Sequence, residues 1–77
     1  MELIYSKHWK EQKRVRAEIT DELIIHAITH ANELRDRDWT DVLNVIARVP
    51  TSGRILKVVY KRISKDRIKI ITAVWLD

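Results

Sequence analysis

A chain of 77 residues holds one hydrophobic core and excludes a second, and 45% apolar against 34% charged residues, with one Gly and one Pro, excludes extended disorder. The lack of cysteine excludes disulfide and thiolate–zinc staples, so a core this small gains from association with a partner or a second copy. The formal charge is +4, and where the bases gather they favour a polyanion such as nucleic acid, or an acidic protein segment.

The first residues, Met1-Glu2-Leu3-Ile4-Tyr5, lack the basic start and apolar run of a signal peptide, and no segment approaches the ~18 apolar residues of a membrane span. A cytoplasmic protein with no membrane contact is expected. Ser6 then caps a helix predicted from Lys7 to Arg16, with Tyr5, Trp9, Gln12 and Val15 toward one side. Lys7, Lys10, Lys13, Arg14 and Arg16 make this stretch basic, and those in its last turn also suit the negative end of the helix dipole. Thr20 caps a second helix, with Asp21 and Glu22 in its first turn and Ile19 and Ile24 placed as a hydrophobic staple. Its stripe of Ile24, Ala27, Ile28, Ala31 and Leu34 predicts a helix running to about Leu34.

Arg35-Asp36-Arg37-Asp38 reads as a solvated turn, after which the apolar period changes from 3.6 to 2. Val42 to Arg48, Ile55 to Ile63 and Arg67 to Leu76 are predicted strands, joined by Pro50-Thr51-Ser52-Gly53 and Ser64-Lys65-Asp66. Short connections imply hairpins. The expected fold is therefore α+β, with two N-terminal helices packed on one face of a three-stranded antiparallel sheet in a single domain spanning 1–77.

Alternation sorts the strand residues into two sets. Leu43, Val45 and Ala47, then Leu56, Val58 and Tyr60, then Ile68, Ile70, Thr72, Val74 and Leu76 are expected under the helices. The open face then carries Asn44, Arg48, Lys57, Lys61, Lys69, Ile71 and Trp75, with Ala73 on the same side. Lysines neutralise phosphates and a Trp stacks on a base, so Arg48, Lys61, Lys69 and Trp75, with Lys7 and Lys10 from the first helix, are the candidate nucleic-acid contacts.

Cleavage of RNA without a metal needs proton transfer from the 2′-hydroxyl and to the leaving oxygen. His8, in the first turn of the first helix between Lys7 and Lys10, is the leading candidate for that role. His26 and His30 are spaced i, i+4, but Ala27 stands where the HExxH motif has its Glu, and no metal site is expected. Gly53 alone builds no phosphate-cradling loop, and no cofactor is expected.

Tyr5-Ser6-Lys7-His8-Trp9, Gln12, Arg14 and Arg16, Ile19-Thr20-Asp21-Glu22, Leu56-Lys57-Val58-Val59-Tyr60 and Ile70-Ile71-Thr72-Ala73 resemble the domain-of-unknown-function family 4258 across nearly the whole chain. That family is compared with small RelE-like and BrnT-like toxins, whose fold resembles the microbial ribonucleases. The resemblance implies a metal-independent RNA endonuclease held in check by an antitoxin, and it points to His8, to Arg14 or Arg16, and to Thr72 as polar positions of the site. Lys57 joins them as a cation for the developing phosphoryl charge. Alternation conflicts with this for Thr72, which it buries, while Lys57 faces out. The alternative expectation is a non-catalytic module that uses its open face for a protein partner or a homodimer.

Overall fold

The computed structural model describes residues 1–50 and 52–77, so Thr51 of the predicted hairpin loop lies outside the described residues. The elements run β1 (Glu2–Tyr5), α1 (Lys7–Gln12), α2 (Asp21–His30), β2 (Leu34–Arg35), β3 (Leu43–Arg48), β4 (Ile55–Arg62) and β5 (Arg67–Trp75). The α+β class stands. The three-stranded antiparallel sheet does not, because the strands form one five-stranded mixed sheet in the order β1-β5-β4-β3-β2. β1 joins parallel to β5, with Tyr5 beside Ile70, and β2 pairs Leu34 and Arg35 with Asn44 and Leu43.

Both helices are capped as the sequence suggests, by Ser6 accepting from Trp9 N–H and Thr20 accepting from Leu23 N–H. Both end early. α1 stops at Gln12, whose carbonyl accepts from both Val15 and Arg16 N–H, and Val15 is left 81% exposed, so its apolar side reduces to Trp9. α2 stops at His30, because Ala31 turns extended and Leu34 leaves the predicted helical stripe to pair in β2. Leu34 is exposed there.

The helices cover one face of the sheet, α1 against β5 and β1, α2 against β3 and β4. Between the layers lie Trp9, Ile19, Ile24, Ala27 and Ile28 from the helical side, and Val45, Leu56, Val58, Tyr60, Ile68, Ile70 and Ala73 from the sheet. Tyr5 ties the layers, its hydroxyl donating to the Asp21 carboxylate and accepting from Lys13 Nζ at 2.9 Å. That bond, ahead of the Asp21 charge, raises the pKa of Lys13 and keeps it cationic.

β5 departs from strict alternation. Tyr60 lies across from Ile70 and Val59 from Thr72, so Ile71 is an extra residue, a β-bulge that shifts the phase of everything after it. Ala73 and Trp75 consequently lie across from Val58 and Leu56, on the helical side, and Val74 lies across from Lys57. This corrects five assignments: Ala73 and Trp75 turn inward, Val74 and Thr72 leave the face beneath the helices, and Leu76, past the end of β5, is exposed. Beyond β3, Val49 and Arg54 close the hairpin through the Val49 N–H bond to Arg54 O, and Gly53 turns there at a φ of 72° that a side chain would strain.

Two tests follow from this packing. Leu56→Ala opens a cavity at a fully buried position and lowers unfolding stability by about 2–5 kcal/mol in urea titrations with unchanged m-value. The Glu33 carboxyl is held below its ordinary value of 4.5, first by the hydrogen bond from Arg62. Its contribution is therefore complete above that value and drains away as pH falls through the lower folded pKa. Stability measured against pH should show Glu33→Gln differing from the parent at neutral pH and converging with it in acid.

Candidate nucleic-acid interface

β1 accompanies β5 only as far as Ile70, where Ser6 N–H donates to the Ile70 carbonyl at 3.0 Å. From Ile71 onward the edge of β5 is open, and side chains from α1 and the residues flanking it take over from the missing strand. Ser6 Oγ donates to Ile71 O at 3.0 Å, Thr72 Oγ1 donates to Gln12 Oε1, and Arg16 Nη1 donates to Ala73 O at 3.0 Å. An edge with unpaired carbonyls is thereby satisfied by a helix face rather than by a sixth strand.

His8 and Gln12, four residues apart, share one face of α1, and Arg16, past the helix end, follows Gln12 through its N–H bond to the Gln12 carbonyl. Since Gln12 and Arg16 reach the β5 edge, His8 lies on the same side, one turn nearer the start of α1 and two residues from the Ser6 tether. His8 is exposed. Gln12 thus brings Thr72 and Arg16 together at one edge, and His8 shares the Gln12 face of α1. The sequence places Gln12 on one side of the first helix and among the residues of the resemblance without giving it a role in the site; the signal is its spacing of four from His8. Arg14, two positions from both Gln12 and Arg16, does not join them and is exposed.

The face of the sheet away from the helices adjoins that edge. Register places Asn44, Ile46 and Arg48 of β3 across from Val59, Lys57 and Ile55 of β4, and Lys61, Lys57 and Val59 across from Lys69, Val74 and Thr72 of β5. Arg48, Lys57, Lys61 and Lys69 are therefore on the open face as alternation indicated. Lys61 and Lys69 stand directly opposite each other, an arrangement of like charges that costs stability unless an anion lies between or beside them. Lys61 is partly offset by Asp41 at 3.3 Å, whereas no ion pair engages Lys57 or Lys69 among the described residues. Lys7 and Lys10 are exposed on α1.

Trp75 does not belong to this face. Its indole packs against the core, donates to Glu18 Oε1 at 3.1 Å and is covered by the Arg54 guanidinium at 4.2 Å from the ring centroid. The backbone N–H of Glu18 itself, and after it this indole, hold the Glu18 carboxyl below the usual range. No protein-family model matches the chain, and no curated protein or solved structure matches it.

In place of Trp75, the open face presents Trp39, which is 65% exposed and which sequence reading left out because it lies between the predicted turn and the first predicted strand. With Asp36, Val42, Val59, Lys61 and Ile71 it lines a groove of about 320 Å³. His26 and His30 sit away from all of this, their rings stacked at 4.4 Å, and no cluster of three metal-ligating side chains occurs among the described residues. Among the described residues no helix is long and apolar enough to cross a membrane.

The bond between Thr72 and Gln12 gives Thr72 a structural task. Thr72→Val, which keeps the shape and removes the donor, should lower stability by about 1 kcal/mol in chemical denaturation.

Proposed function

We propose that this chain is a toxin-type RNA-binding domain that cleaves RNA without a metal. What supports the reading is the contact of Gln12 and Arg16 with the β5 edge, on the α1 face that His8 shares, beside a sheet face that bears Lys57, Lys61 and Lys69. A single RNA strand laid across that face places phosphates against Lys57 and Lys69, with Lys7 and Lys10 extending the contact along α1. At the β5 edge, His8 takes the proton from a 2′-hydroxyl, whose oxygen attacks the adjacent phosphorus. The bond to the 5′-oxygen then breaks, and that oxygen leaves with a proton from water. Lys57 and the donors of Arg16 not bound to Ala73 offset the charge that gathers on the phosphoryl oxygens.

The toxin part of the proposal is what the resemblance to the domain-of-unknown-function family 4258 and to RelE-like and BrnT-like toxins implies, and an antitoxin with an acidic segment would cover the same basic surface. Tyr60 has no part in the chemistry: burial, ahead of the neighbouring Glu33 carboxylate, raises its pKa far above the ordinary phenol value.

The test is incubation of purified protein with mixed single-stranded RNA in excess chelator. Fragments ending in 2′,3′-cyclic phosphate are expected, and His8→Ala should slow their appearance by about 10²- to 10⁴-fold, the usual contribution of a proton-transfer group. Intact RNA under these conditions removes the nuclease. If RNA is also not bound at low salt, and the chain instead self-associates independently of salt, the open face is a protein interface.

A further inference from the structure

The loop that carries Trp39 is closed by bonds of its own. Asp36 N–H donates to Val42 O at 2.9 Å and Val42 N–H to Trp39 O at 3.2 Å. Asp36 Oδ1 accepts from Asp38 N–H at 2.9 Å and from Trp39 N–H at 3.2 Å. A large aromatic ring is thus held out toward solvent on a braced turn, where burial would have been the ordinary outcome for an indole. Beneath it the groove has an apolar floor of Val42, Val59 and Ile71, one cation at its rim in Lys61, and one carboxylate in its wall in Asp36.

The mixture selects an occupant. A phosphate is repelled by the Asp36 carboxylate, whereas the amino or imino edge of a nucleobase can donate to it. The flat apolar floor and the indole suit a ring that stacks, and about 320 Å³ lies at the small end of ligand pockets, enough for a single base. The phosphate next to that base has its own place beside Lys69, which opposes Lys61 on the adjoining strand: Lys61 already has Asp41 at 3.3 Å, whereas Lys69 has no ion pair among the described residues.

We infer that this groove is a single-base subsite, with one nucleobase stacked on Trp39 and its flanking phosphate held by Lys61 and Lys69. The inference rests on the RNA-binding reading and names the part of the strand that the open face grips other than by charge. Stacking is indifferent to sequence, so the subsite anchors an RNA strand without reading it.

The experiment uses the full chain carrying His8→Ala, so that RNA is bound and not cut, and a fluorescein-labelled single-stranded RNA decamer of mixed sequence, followed by anisotropy. Trp39→Leu keeps apolar bulk and removes the stacking face; it should weaken binding about 5- to 150-fold, the equivalent of the ~1–3 kcal/mol of one base–aromatic stack. Trp39→Tyr should stay close to the parent. An abasic decamer with the same phosphates should bind parent and Trp39→Leu alike. Circular dichroism and melting temperature confirm that the exposed substitution leaves the fold intact. Salt-sensitive binding that is equal in the parent and Trp39→Leu overturns the subsite and leaves RNA binding standing. A lack of RNA binding even at low salt overturns both, and salt-independent self-association abolished by Trp39→Leu assigns the groove to a protein partner.

Discussion

β5 has a partner on each side as far as Ile70 and on one side only beyond it. A strand that loses a neighbour in mid-course leaves backbone carbonyls that need donors, and here the two flanks of α1 provide them through Ser6 and Arg16, with Gln12 holding the Thr72 side chain. Most of what distinguishes this molecule descends from that transition. It brings α1 down against the edge of the sheet, buries Trp9 beneath it, and leaves the outward members of the same helix row, His8 first among them, at the border of the open face.

The bulge at Ile71 falls at the same place and has the opposite effect on the two tryptophans. By shifting the phase of β5 it turns Trp75 toward the helices, where Glu18 and Arg54 engage it, and strips the open face of the aromatic that alternation would have put there. Trp39 replaces it from a different direction, from a loop outside the strands. The two rings now do different work. Trp75 closes the core at the end of the sheet, and Trp39 is available to a ligand.

Much of the layout could be read in the residues. Thr20 with Asp21 and Glu22, flanked by Ile19 and Ile24, announces the second helix, because capping and the hydrophobic staple are local effects that tertiary packing reinforces. The strands β3 to β5 follow from alternation, and with them the lysines of the open face. β1 and β2 were not legible for a different reason. Four residues with little polar contrast and two residues in isolation carry no period, and the parallel pairing of Glu2–Tyr5 with Arg67–Ile70 depends on contacts more than sixty residues apart. The bulge did leave a trace: Ile70 and Ile71 are adjacent apolar residues that break a period of two, and an assignment that carries alternation through them misplaces Thr72, Ala73, Val74 and Trp75. His8 was identifiable as a proton-transfer candidate from its residue type, but its relation to Thr72 and Arg16 required the edge of β5 to be known.

Pairing the earliest strand with the latest has an outcome for how the molecule comes into being. During synthesis β1 and α1 emerge long before β5, and until β5 is made there is no edge for Ser6, Gln12 and Arg16 to grip. The border on which His8 sits is therefore the last part of the architecture to be assembled, so a nascent or truncated chain lacking β5 carries the histidine without the surroundings that would make it useful.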